Sequence, residues 1–160
     1  MYKRQDWDLD EERKKLLAFT KKLVAIRRDH PALHRAKFFK GRRIRGTDVR
    51  DIMWYRHDGR EMTDEDWENP VTASLGLFLA GRGIDDFDDD GNLVVDDDFT
   101  ILFNGSDIEL PFCLPRASSE GPWQLMIDTA NDDGNELLDQ GAEVRLTPRS
   151  TKLFIHYVRA

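Results

Sequence analysis

Residues 8–33, DLDEERKKLLAFTKKLVAIRRDHPAL, carry the apolar spacing of a single amphipathic helix, and what they need to lie against limits the rest of the chain. At 3.6 residues per turn, Leu9, Leu16, Leu17, Phe19, Leu23, Val24 and Ile26 fall on one face. Lys14, Lys15, Lys21, Lys22 and Arg28 fall on the other. Asp8 with Glu11 three residues on reads as an N-cap with its capping-box partner, and the early acids suit the positive end of the helix dipole. Arg27 and Arg28 suit the opposite end, where Pro31 closes the segment. The apolar stripe covers about half the circumference, so the helix has to pack on something larger than one neighbouring helix.

Beyond this helix the period changes to short runs of strand residues between turn signals. A first run at 40–45 has only Ile44 as an apolar anchor. VRDIMWYR at 49–56 is a better strand and ends at the turn His57-Asp58-Gly59. Residues 60–70 are polar, with Thr63 and Asp66 spaced to cap one helical turn before Pro70. Further strands are predicted at 74–80, 99–104, 108–114 and 123–128. In the last of these Trp123, Leu125 and Ile127 alternate against Gln124, Met126 and Asp128. Residues 131–141 read as polar loop. The runs at 142–146 and 152–158 read as a terminal hairpin, with Leu153, Ile155 and Tyr157 on one face and Phe154, His156 and Val158 on the other. Seven or eight short strands without intervening helices predict a mainly β fold, an antiparallel β-sandwich preceded by one long amphipathic helix. The expected division is residues 1–36 for the helix and its lead-in, and residues 37–160 for the sandwich.

The 160 residues are enough to bury a core without disulfides or metals, and 39% hydrophobic against 34% charged fits a globular domain. The net charge of −7 argues against nucleic acid as a partner. One stretch runs against that balance: RAKFFKGRRIR at 35–45 is basic enough to hold an anion. No apolar run approaches a membrane span, so no membrane partner is expected, and MYKRQDWDLD lacks the apolar centre of a signal peptide. The single cysteine, Cys113, lies in the apolar run LPFCLP, where it reads as a small buried hydrophobe; with no second cysteine there is no internal disulfide. These features together predict a cytoplasmic location.

Few constellations offer chemistry. Asp86, Asp88 and Asp90, then Gly91 and finally Asp97, have the spacing of a calcium loop, in which alternate carboxylates converge because a glycine lets the backbone turn. Neither flank reads as the helix such a loop joins, and Asp97 is shorter than the usual closing glutamate. Glu61, Asp64, Glu65, Asp66 and Glu68 surround Trp67. Two carboxylates beside a sugar bond would allow glycoside hydrolysis, but nothing nearby sets one acid apart from the next. His30 and His34 would share a helix face as metal ligands do, were Pro31 not between them. No phosphate-binding glycine loop or nucleophile elbow is present, so neither a catalytic residue nor a cofactor is predicted.

LLAFTKKLVAIRRDHPALHRAKFF, DIMWYRHDGREMTDEDWENP, SLGLFLAG, VVDDDFTILFN and WQLMIDTA resemble the C-terminal end of bacterial glycogen-debranching enzymes, the isoamylase-type members of the α-amylase family of glycoside hydrolases. DGREMTDEDW is the most specific piece. The resemblance implies that residues 1–36 hold the last helix of a (β/α)8 barrel and that a C-terminal sandwich follows it. A barrel carries its catalytic carboxylates at the C-terminal ends of its strands, and every residue here corresponds to sequence beyond those strands. None is carried over. The implied function is a non-catalytic domain buttressing the upstream barrel of an enzyme that hydrolyses α-1,6 branch linkages in glycogen by a retaining, two-carboxylate mechanism. The alternative is a calcium- or glucan-binding sandwich module, with Trp67 as the substrate-binding residue and Asp86, Asp88, Asp90 and Asp97 as metal ligands. The orphaned helix stripe adds an expected tendency to self-associate.

Overall fold

A computed structural model describes residues 8–35, 37–43, 50–70, 73–131 and 134–158. Helix α1 runs Glu11–Asp29, and a 3-10 turn at Pro31–Leu33 follows it. The eight strands are β1 Ile52–Tyr55, β2 Ser74–Leu79, β3 Asp98–Asn104, β4 Leu110–Cys113, β5 Trp123–Asp128, β6 Leu137–Leu138, β7 Glu143–Leu146 and β8 Ser150–His156. A five-residue helix α2, Asp64–Glu68, stands between β1 and β2. Six strands form one antiparallel sheet in the order β1-β2-β3-β8-β5-β6, and β4 pairs with β7 in a second, two-stranded sheet. This is the expected mainly β architecture with one long leading helix.

Asp10, not Asp8, caps α1. Its backbone is extended immediately before the first helical residue, and its carboxylate accepts the Arg13 N–H at 2.8 Å. Glu11 thereby becomes the first residue of the helix, and the expected Asp8–Glu11 box does not form. Thr63 and Asp66 do form a reciprocal capping box at α2. Arg43 makes an isolated bridge to Arg50 in place of a strand at 40–45, of which residues 44 and 45 lie outside the described residues. Leu137–Leu138, inside the stretch expected as loop, adds a short edge strand to β5.

The large sheet carries a core on each of its faces. On the inner face Tyr55, Phe78, Leu102, Leu125 and Phe154 pack with Phe112, Val144 and Leu146 of the small sheet. On the outer face Leu79, Phe99, Ile127, Leu153 and Ile155 pack with Ile26 of α1, Ala32 and Ile84. Strand β8 keeps the expected alternation and buries both sides: Phe154 serves one core while Leu153 and Ile155 serve the other. In β5 a bulge separates Leu125, paired with Phe154, from Ile127, paired with Leu153. The extra residue moves Ile127 to the outer face, although its spacing places it with Trp123 and Leu125.

The expected terminal hairpin is absent. Strand β7 joins the small sheet and β8 runs between β3 and β5 of the large one. Asn104 holds this crossing: its side-chain amide donates to the carbonyls of Ile108, Leu146 and Thr147 at 2.9–3.1 Å, and its Oδ1 accepts from Ser106. One buried amide thus pins two of the four crossings between the sheets, β3 to β4 and β7 to β8. Arg149, at φ 53°, makes the turn sharp enough to bring β8 back.

Tyr55 lies across its cross-strand partner Gly76, where an added Cβ would come within 2.3 Å of the ring. Thr100 donates its hydroxyl proton to the Leu77 carbonyl, so the Tyr55 hydroxyl donates to Thr100. Burial raises the Tyr55 pKa well above the ordinary phenol value. Gly76→Ala is expected to cost ~1–3 kcal/mol through overpacking, and Tyr55→Phe about 1 kcal/mol. Thermal melts should show both, at roughly 2–4 °C per kcal/mol for a chain of this size.

Asp128 and Lys152 form a largely buried ion pair at 3.3 Å beside α1. Burial alone would push the Asp128 carboxyl up. The Ala130 N–H, the Asn131 side chain and the Lys152 ammonium outweigh it and hold the pKa below the usual carboxylate range. A depressed folded-state pKa stabilises fully above the unfolded value of about 3.9 and ceases to do so as pH falls through the folded value. Asp128→Asn should therefore lower unfolding stability at pH 7 by ~1–3 kcal/mol. In denaturant titrations the gap from the parent chain should close below about pH 4.

Candidate functional site

Helix α1 uses only part of its apolar stripe on this chain. Ile26 is buried against the sheet and Phe19 packs at the margin of the same core. At roughly 100° per residue, Leu17 and Val24 point nearly opposite to Phe19 and Ile26. The exposures follow that geometry: Leu16 is 64% exposed and Val24 60%, with Leu17 and Leu23 about two-fifths exposed. One edge of the helix is seated and the other edge is open.

The outer face of the large sheet is graded in the same way. Its rows follow the strand register. Ile52, Leu79, Phe99 and Ile155 form the first, Trp54, Leu77, Ile101 and Leu153 the second, and Leu75, Phe103 and Thr151 the third. Phe99 in the first row is fully buried, Ile101 in the second partly buried and Phe103 in the third 38% exposed. Trp67 of α2 extends this uncovered half. Its indole stands edge-on to Trp54 at 5.7 Å between centroids and is 53% exposed. α2 is held in place by its capping box and by an ion pair from Arg56 to Asp66 at 3.3 Å. The Thr63 N–H and hydroxyl, with Arg56, keep the Asp66 carboxyl below its ordinary pKa. The other edge acid with a partner, Glu61, pairs with Arg50. These two carboxylates of the acidic stretch are engaged in the local frame.

The spaced aspartates of the acidic loop are not brought together. Asp86 pairs with Lys37 at 2.9 Å. Asp88 accepts from the backbone and side chain of Asn92 and from the Asp90 N–H, which together lower its pKa, in a small loop closed by the Phe87–Leu93 bridge. Asp97 lies elsewhere and accepts the Val158 N–H at 2.9 Å. Among the described residues, the group whose ligand atoms come within 4.8 Å of one another is His30, Asp96 and Asp97. Both oxygens of Asp96 already have donors: His30 and the Asp97 N–H on one, the Ala32 N–H on the other. This cluster stitches the end of α1 to the loop before β3, an arrangement no local sequence signal announces because 66 residues separate His30 from Asp96. His34 is exposed and outside it. Cys113 is partly buried, with its Sγ 3.5 Å from the Gly141 carbonyl. Among the described residues no helix is long and apolar enough to cross a membrane.

The exposed apolar residues gather on the open edge of α1 and the thinly covered half of the sheet's outer face. Similar sequences and similar folds occur as parts of longer chains. The "Glycogen operon protein GlgX homolog" of Mycobacterium tuberculosis is 38% identical over 131 residues, which is 81% of this chain and 18% of that protein. An isoamylase of a Flavobacterium species is 24% identical over 135 residues, 83% of this chain and 16% of its own length. The chain thus spans about one fifth of the curated relatives it matches. Two solved structures share the fold. A pullulanase from Bacillus subtilis complexed with maltose superposes with a TM-score of 0.54 at 16% identity over 96% of this chain and 17% of that one. A pullulanase from Anoxybacillus complexed with maltotetraose superposes with a TM-score of 0.53 at 11% identity over 95% and 17%. Residues 51–157 match the model of the isoamylase C-terminal domain, and the chain belongs to that family.

Proposed function

We propose that this chain is the non-catalytic C-terminal part of a glycogen-debranching α-1,6-glucan hydrolase and that its work is to buttress an upstream (β/α)8 catalytic barrel. The observation that carries this reading is the exposed apolar edge of α1, with Leu16, Leu17, Leu23 and Val24, together with the thinly covered half of the outer sheet face. Residues 1–36 then belong functionally with the barrel's outer helix layer, and residues 37–160 form the sandwich beneath it. The GlgX homolog and the isoamylase among its relatives supply the chemistry of the parent, and the parent would act in the cytoplasm.

A magnitude separates a tethered partner from a second copy of the chain. Burying a large aliphatic side chain contributes ~1.5–3 kcal/mol, and Leu16, Leu17, Leu23 and Val24 have roughly half of that still to gain, about 1 kcal/mol each. Some 4 kcal/mol corresponds to a dissociation constant of about 1 mM, before the loss of translational freedom is counted. Two free chains would hold each other weakly through this stripe. A covalently continuous barrel meets it at high effective concentration and needs no more.

Trp67 has a second reading as a glucan contact, because its ring is half-exposed and stands against Trp54 on an open face. Stacking a sugar on that face would use the same surface the barrel needs. Glucan oligosaccharides titrated into the chain should quench its tryptophan fluorescence under this reading, and Trp67→Ala should abolish the response. The calcium alternative predicts a melting temperature that rises with added calcium, whereas the buttress predicts none.

The purified chain is expected to release no sugar from branched glucan, and hydrolysis by it alone would overturn the assignment. In sedimentation it should remain monomeric at micromolar concentration, with any association confined to concentrations above about 1 mM. Val24→Lys should suppress that association with a change in stability within about 0.5 kcal/mol, since the side chain it replaces is exposed. A tight dimer abolished by the same substitution would favour a second copy over a barrel.

A further inference from the structure

Residues 115–122, PRASSEGP, have no regular secondary structure, yet the fold ties them down at nearly every step. The Trp123 indole N–H donates to the Pro115 carbonyl at 2.9 Å, and the Ala117 N–H donates to the Gln140 side chain at 3.0 Å. The Ser118 N–H donates at 2.7 Å to Asp98, a fully buried carboxylate. The Gln140 amide reaches back to the carbonyls of Ser119 and Gly121 at 2.7 and 3.0 Å. Ser119 is thereby clamped through its own carbonyl and through the residue before it.

His156 of β8 meets this loop and is buried. Its Nδ1 is 3.0 Å from the Pro122 carbonyl, which can only accept, so Nδ1 carries the proton of the neutral ring. Nε2 is then a lone pair, and the Ser119 hydroxyl donates to it at 2.8 Å. Gly121, at φ 134°, passes so close to the ring that an added Cβ would lie 3.2 Å from His156 Cε1. Trp123 stands edge-on to the imidazole at 5.6 Å between centroids. Ser119 itself is half-buried and lines an open cleft of about 600 Å3 between its loop and Gln140. Ser118 lines the same cleft, and its buried hydroxyl has no hydrogen-bond partner among the described residues. An unsatisfied buried hydroxyl is uncommon, and a polar molecule in the cleft would offer it a partner.

We infer that Ser119 is a nucleophile activated by His156 and takes acyl groups from small esters. Serine attack needs a hydroxyl bonded to a base whose other nitrogen is oriented by a third group. Here the Pro122 carbonyl is that third group, and it fixes the tautomer that leaves Nε2 free to accept. The Ser119 oxygen attacks the carbonyl carbon of the ester while its proton passes to Nε2. The tetrahedral adduct then expels the alcohol, which takes that proton as the bond to it breaks. The products are an acyl-serine and a free alcohol. None of these residues is among the exposed leucines and valine of α1, so the chemistry is independent of what docks there.

A fluorophosphonate probe, which reacts with activated serine hydroxyls, tests this on the 160-residue chain, with adducts located by peptide mass spectrometry. Of the five serines, Ser119 should label and the other four should not. p-Nitrophenyl acetate added first should slow that labelling and leave an acetyl group on Ser119. Ser119→Ala should abolish the adduct, and His156→Gln should slow its formation about 100-fold, the share a positioned base supplies. The pair exists only in the folded chain, so unfolding in urea should bring Ser119 down to the level of the other serines. That comparison carries the test should His156→Gln melt early. No adduct on Ser119, equal labelling of all five serines, labelling that survives unfolding, or full labelling of a folded His156→Gln variant would overturn the nucleophile. Labelling that p-nitrophenyl acetate leaves unslowed would overturn the acyl substrate.

Discussion

A sheet that buries both faces needs a cover on each side, and this chain supplies one cover completely and the other by half. The small sheet closes the inner face, where Phe78, Phe112, Trp123 and Phe154 are fully buried. On the outer face the cover thins from Phe99, buried beneath the end of α1 and edge-on to His30 at 4.8 Å, to Phe103 near the far end of the same strand. Apolar surface left in water forgoes about 25 cal/mol per Å2. A contiguous apolar face on one flank of a domain marks a contact with something else. The functional reading follows from that asymmetry and not from any reactive group.

The polar interactions that matter are those deciding where the chain crosses between layers. Asn104 satisfies three carbonyls that would otherwise face the interior at the β3–β4 and β7–β8 crossings. Asp98, fully buried, accepts the N–H groups of Gly81 and Ser118 and so fixes the loops flanking the end of the sheet. Asp96 does the same between α1 and the loop before β3. Each is a buried acceptor or amide joined to backbone groups, the situation in which loss of a partner is expensive. This is where the chain's many aspartates find structural employment. In the acidic loop Asp86, Asp88 and Asp97 answer to Lys37, Asn92 and Val158.

Much of the architecture was legible in local pattern. The helix is read from leucines at its 3.6 period, the capped turn from Thr63 and Asp66, and most strands from apolar runs between glycine and proline signals, because these depend on neighbours a few residues away. The misreadings have two causes, a second buried face and crossings between sheets. Alternation assumes one buried face, and in β5 and β8 both faces are buried, with a bulge shifting Ile127 from one core to the other. Adjacent strands were taken for a hairpin where Asn104 and the turn at Arg149 send them to different sheets.

The amino-acid sequence by itself determined the helix, most of the strands and the family likeness, since all of these are carried by composition and short-range order. Which half of the helix is seated and which sheet each strand joins were decided by tertiary structure alone. So was the placing of Ser119 beside His156. Those outcomes rest on contacts between residues tens of positions apart, whose energies depend on packing and on buried hydrogen bonds that no local pattern encodes.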